Sequence, residues 1–158
     1  MQLIATQRHP MTPRAAAWSP VKIQLDAAFR ATPNAPEIVV TTFHVPTTPT
    51  ATYAQAEARV KVWRSGTLID DQAVKGAAHA RERQLAAAMV DALRGSNFLK
   101  DARVTPTVES IAVGSVRITA VDADGTRRAV TMAMDADPGS YAAFDTAADA
   151  YIGAIFPG

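Results

Sequence analysis

The chain has 158 residues, 48% of them hydrophobic and 20% charged, with a formal net charge of +1 and no cysteine. That length suits one domain of about 100–200 residues, able to bury roughly 68–70% of the surface its unfolded form exposes without help from a disulfide or metal. Disulfides, thiolate metal sites and a cysteine nucleophile are excluded, and a near-neutral charge gives no electrostatic mandate for nucleic acid.

The first twenty residues differ from the rest. They hold Pro10, Pro13 and Pro20 with Arg8 and Arg14 and no acid. Proline fixes φ and removes a donor, so neither a regular helix nor a central strand fits. We expect an extended N-terminal arm over 1–20, anchored by Trp18, ahead of one α+β domain over 21–158. No run approaches the ~20 apolar residues of a membrane span. Leu3-Ile4-Ala5 is too short for a signal peptide's apolar core of about 7–15 residues. A soluble protein is therefore expected, cytoplasmic or part of an assembled particle rather than secreted, unless a leader has been removed.

From Val21 the pattern alternates. Val21, Ile23, Leu25, Ala27 and Phe29 share one parity, which predicts a half-buried strand. Thr32 to Pro36 reads as a turn, and Glu37 to Val45 as a second strand. Over Thr52 to Arg64, Ala54, Ala56, Ala58, Val60 and Val62 fall on one face, with Tyr53 and Trp63 on the other. The small residues predict close packing against a helix. Ser65-Gly66 predicts a tight turn into a strand over Thr67 to Lys75.

Leu85, Met89 and Leu93 recur every four residues and predict a helix over 78–94, with Gly95 as a left-handed C-terminal cap. Val108 to Val121 reads as one long strand whose apolar parity switches between Val113 and Val116, which predicts a β-bulge near Gly114-Ser115. Asp124-Gly125 signals a hairpin, with Val130, Met132 and Met134 returning inward. Asp137-Pro138, with Ser140 as a competing cap, starts a last helix bearing Tyr141, Phe144, Ala148, Tyr151 and Ile155 on one face. The expected fold is α+β, an antiparallel sheet built from hairpins with two helices packed on one face, in the order β-β-β-β-α-β-β-α. The turns at Ser65-Gly66 and Asp124-Gly125 stand 59 positions apart. That spacing fits either internal pseudo-symmetry or two common units in a row.

Catalytic signatures are mostly missing. His9, His44 and His79 are the three histidines, and none has a second at helical metal spacing. His44 reads as a partly packed strand residue. Neither a nucleophile elbow nor a phosphate-binding glycine loop occurs. Asp122-Ala123-Asp124-Gly125 touches the calcium-loop pattern, but Ala120 and Thr131 stand where that loop needs its first and last acids. Asp70-Asp71 and Asp135/Asp137 are ordinary turn and cap acids on this reading. Arg81-Glu82-Arg83 and Arg127-Arg128 are the densest basic spots, and adjacent strand residues point to opposite faces, so nucleic-acid binding is disfavoured.

No cofactor or metal is expected, and no enzyme. Residues 1–64 carry seven Lys/Arg against three Asp/Glu, while 104–158 carry three against seven. That asymmetry suits solvated loops of chance composition first, and otherwise attraction within one fold or equally across subunits. The arm, the charge asymmetry and the long strands point to a structural or interaction protein, a subunit of a homo- or hetero-oligomer such as a virion, tail or secretion-apparatus component. Its contacts would use the arm and the sheet edges, with Arg8, Arg14, Trp18, Tyr53 and Trp63 as the candidate interaction surface. The alternative is a small apolar-ligand or lipid-binding domain of the cell envelope, with a cavity under the helices near Met89, Met132 and Met134.

Overall fold

The computed structural model describes residues 18–48, 55–76, 80–106 and 110–155. Strands β1 (Lys22–Phe29), β2 (Glu37–Pro46), β3 (Glu57–Arg64) and β4 (Thr67–Lys75) precede helix α1 (Ala80–Gly95). A 3₁₀ turn (Phe98–Lys100), strands β5 (Ser115–Val121) and β6 (Arg127–Ala133), a second 3₁₀ turn (Gly139–Tyr141) and helix α2 (Ala142–Ile155) follow. All six strands form one antiparallel sheet in the order β4-β3-β2-β1-β5-β6. The α+β class and the element order expected from the sequence are those observed. The hairpin β1–β2 sits at the centre, and each of the other two hairpins leads outward from it.

Both helices cover one face. Ile23 stands opposite Val45 on one side and Ala120 on the other, and Ile118 stands opposite Val130. Directly opposed residues point to the same side of a sheet. These side chains meet Ala86, Met89 and Leu93 of α1 and Phe144, Ala148 and Tyr151 of α2 in one buried cluster. Phe43 and Tyr151 meet edge to face, their ring centres 5.4 Å apart. Burying the Ile, Val, Leu, Met and Phe side chains among them contributes about 1.5–3 kcal/mol each. The two-residue period of the strands and the three-to-four spacing of the helices thus converge on one core.

Several local readings need correction. The parity switch before β5 is not a bulge within one strand. Ser115 N donates to Ala112 O at 3.1 Å, and Gly114 takes φ of 87°. The chain therefore turns, and β5 starts only at Ser115. Ile111 and Val113 line the helix-free face, whereas Val116 and Ile118 point toward the helices. The register irregularity instead lies in β3–β4, between Val62 and Trp63, where Ile69 is the extra residue beside the Ser65-Gly66 turn. Both turn residues have positive φ, 50° and 81°, as a two-residue hairpin loop requires.

Gly95 is the last residue of α1 but has no left-handed conformation. There the chain is held by Ser96, whose N–H and hydroxyl both donate to Leu93 O. Ser140 does not cap α2. Its hydroxyl accepts from Asn97 N at 3.2 Å, and Asp137 accepts from Gly139 N at 3.0 Å. Helical cover reaches Ala56 and Ala58 but not Val60, which is 39% exposed, so close packing is confined to one end of that alanine row. Trp63 lies on the face opposite the helices, in the same sheet as β1 and β2.

Candidate functional site

Two surfaces of the sheet carry chemistry. The first is the face without helices. One row crosses it through Thr131, Arg117, Asp26, Thr42, Arg59 and Ala73. Asp26, on the central strand β1, is buried. Its carboxylate accepts from Thr42 Oγ1 at 2.9 Å and from Gln24 Nε2 at 3.1 and 3.2 Å, and Arg117 Nη2 lies 3.4 Å away. A buried charge persists only when paired and hydrogen-bonded, and these three neighbours supply that. At the edge of the row Arg59 clasps Asp71 at 2.8 and 3.2 Å. This ion pair holds the Asp71 carboxyl below its ordinary pKa.

A cavity of about 450 Å³ opens above this row. Asp26, Thr42 and Arg117 lie along it, with Lys61, Trp63, Ile38 and Val40 on one side and Ile111 and Val113 on the other. Ligand sites usually occupy about 300–1,000 Å³ and combine apolar walls with a few fixed polar groups. Two smaller spaces lie on the helix side. One, of about 180 Å³, includes Met132 and Met134 in its lining. Met89 is instead buried in the core, so the three methionines do not share a cavity.

The other, of about 310 Å³, is walled by a closed clasp. Tyr141 Oη donates to Asp101 at 2.7 Å, and Arg103 donates to the same carboxylate through Nε, Nη2 and its backbone N–H. Arg103 is the main reason the Asp101 pKa falls well below the carboxylate range. Burial, then Asp101 itself, raises the tyrosine's. This clasp ties the start of α2 to the segment after α1. Among the described residues no three His, Asp or Glu side chains are grouped to hold a metal ion.

The second surface is the edge at β4. All nine of its residues are exposed, including Leu68, Ile69 and Val74. Its backbone polarity follows from one hydrogen bond. Gly76 N donates to Ala56 O at 2.6 Å, and these residues continue the β3–β4 register by one position beyond Glu57 opposite Lys75. Bonded and non-bonded pairs alternate along an antiparallel ladder. Ala58/Val74 and Val60/Gln72 are therefore bonded, and Glu57/Lys75, Arg59/Ala73 and Lys61/Asp71 are not. The N–H and C=O of Asp71, Ala73 and Lys75 consequently point away from β3. No described strand lies beyond them. The opposite edge is covered, because Thr105 exchanges two 2.8 Å hydrogen bonds with Ala129 of β6.

Of the candidate surface read from the sequence, Arg8, Arg14 and Tyr53 lie outside the described residues. Trp18 turns inward. Its Nε1 donates to Asp122 at 2.8 Å, its ring stacks on Phe98, and its carbonyl accepts from Arg94. Trp63 lines the cavity on the helix-free face. His44 is a half-buried strand residue on that same face, opposite Gln24 and Glu57. The sequence reading did not single out Asp26 and Arg117. Their signal was a charge inside each of two otherwise apolar-alternating strands, which marks a buried pair once the strands are known to be neighbours. Among the described residues no helix is long and apolar enough to cross a membrane. Compared with known protein families, curated proteins and solved structures, the chain matches none.

Proposed function

We propose that this chain is a non-enzymatic interaction protein, a subunit that joins an assembly by adding a strand to β4. The observation that carries this reading is the outward backbone of Asp71, Ala73 and Lys75, which no described strand covers, in a sheet whose other edge is bridged by Thr105. An edge strand of this kind is a template for pairing with another chain. The charges of Asp70, Asp71 and Lys75 and the irregularity at Ile69 are devices that discourage indiscriminate pairing. They leave the edge open to a strand with a complementary pattern. The expected role of the N-terminal arm falls on residues outside those described, and the edge alone supports this reading.

Ala73→Pro tests it. The Ala73 N–H points outward, so proline there breaks no bond to β3, a position sheets tolerate at their edges. The expected outcome is an unchanged circular dichroism spectrum with association lost. Association that survives the proline would sink the reading.

A second reading, small apolar-ligand binding, draws support from the cavity of about 450 Å³ beside Trp63 rather than from the space under the helices. Its expectation is a ligand retained in native mass spectrometry and lost in Trp63→Ala. A ligand-free spectrum of the purified chain counts against it.

A further inference from the structure

We infer that the partner of β4 is a second copy of this chain, paired antiparallel about a two-fold axis that passes at Ala73. This rests on β4 being the docking edge and adds the partner and the register. A two-fold axis perpendicular to the sheet keeps each face on its own side. Residues of the same parity must then oppose one another, and the outward groups of Asp71, Ala73 and Lys75 must bond to their counterparts.

The side chains decide among the registers that meet this condition. Centring on Asp71 opposes two carboxylates, and it draws the pairing through the irregularity at Ile69. Centring on Lys75 opposes two ammonium groups. Centring on Gln72 or Val74 leaves every charge facing a neutral residue. Centring on Ala73 sets Asp71 against the partner's Lys75 and Lys75 against the partner's Asp71. Opposite charges directly across an antiparallel pair stabilise it, and like charges there destabilise it.

The rest of the sheet agrees with this register. Within one chain Lys61 stands opposite Asp71, and Glu57 opposite Lys75. The joined sheet therefore reads Lys61, Asp71, Lys75 of the partner subunit and Glu57 of the partner subunit, alternating in sign across four strands. The second such row follows by symmetry. Arg59 already grips Asp71 through both carboxylate oxygens, which orients it, and a carboxylate has about four lone-pair sites, enough to accept the second cation as well. The residue on the axis is alanine, small enough for the two backbones to approach. The paired residues, 71–75, all lie on the regular side of Ile69. Val74, 57% exposed, gains Gln72 of the partner subunit as its cross-strand neighbour.

The contact is short, so the dimer forms with rising concentration and weakens with salt. The test uses the full chain in sedimentation velocity over a concentration series. The wild type is expected to move from monomer to dimer mass, with the amides of Asp71, Ala73 and Lys75 slowing in hydrogen exchange as it does. Asp71→Lys and Lys75→Asp are each expected to stay monomeric, because each opposes like charges across the axis. An equimolar mixture of the two variants restores every opposite-charge pair and is expected to recover dimer mass. That recovery cannot come from unfolded chains.

A wild type that stays monomeric at every concentration overturns the second-copy partner while leaving the edge open to a different chain. A dimer that persists in Ala73→Pro overturns both the partner and the edge. A dimer abolished by Ala73→Pro but not restored by the mixture overturns the register.

Discussion

The hairpins β3–β4 and β5–β6 flank the same central pair of strands, one on each side, and each feeds a helix. They are buried very differently. On its helix side β6 presents Arg128, Val130 and Met132, and Val130 is fully buried. On the corresponding side β4 presents Asp70, Gln72 and Val74, and none is buried. The helix-free side repeats the contrast, with Ala129 fully buried in β6 and Ala73 exposed in β4. One strand-turn-strand-helix pattern therefore gives a core element on one flank and a bare wing on the other. What separates them is the polarity of the residues at the inward-facing positions, since carboxylates and amides leave no apolar area to bury against a helix.

The buried link from the central strands to the β5–β6 wing is Asp26. Asp26 fastens the centre of the sheet to β5 through Arg117, both side chains being at least nine-tenths buried. Asp26→Ala removes a buried carboxylate that accepts from Thr42, Gln24 and Arg117. The expected cost is about 3–5 kcal/mol in denaturant unfolding. A loss below about 1 kcal/mol, the scale of an exposed ion pair, would mean that the pair does not fasten the hairpin.

The same substitution made in both wings separates them. Val130→Ala is expected to cost about 2–3 kcal/mol, the lost transfer of two methyl groups plus the cavity they leave. Val74→Ala is expected to stay within about 0.5 kcal/mol, as at an exposed site. Chemical denaturation of both variants measures the difference. Equal costs would show that β4 is as well packed as β6.

Much of this contrast was legible in the sequence, and the illegible part has a physical source. Alternation located the strands, and Leu85-Met89-Leu93 and Tyr141-Phe144-Ala148-Tyr151 located the helices, because period is a local property of the chain. Which parity of β4 faces inward was not legible, because the extra residue at Ile69 is what brings Asp70 and Gln72 onto that side. The pairing of β1 with β5 is a non-local fact, so the Asp26–Arg117 contact, 91 positions apart in the chain, could not be read from spacing. The same holds for the bare edge, since a strand becomes an edge only through the order of all six. The bulge near Gly114 was misplaced because a turn and a bulge break parity alike. Only the bond from Ser115 N to Ala112 O tells them apart.

The smallest effect expected belongs to His44, on the helix-free face between the two wings. Burial lowers its pKa below 6.5, with Lys22 adding to the fall. Glu57, a backbone hydrogen bond at Gln55 and Asp26 oppose it without reversing it. The fold thus favours the neutral imidazole. The unfolded chain titrates near 6.5, so between that value and the lower folded pKa it binds more protons than the native state. Stability therefore rises with pH across this window. It is fully present above the unfolded pKa and is lost as pH falls through the folded one. The carboxyls of Glu37, Asp71 and Asp124 are held below their ordinary range, so their protonation falls at lower pH. His44→Gln removes the imidazole's contribution, and urea unfolding on either side of pH 6.5 is expected to show a shallower fall in stability than the wild type. Identical slopes in the two proteins would mean that His44 is as solvated in the fold as in the unfolded chain, and that the helix-free face is open beside β2 as well as at β4.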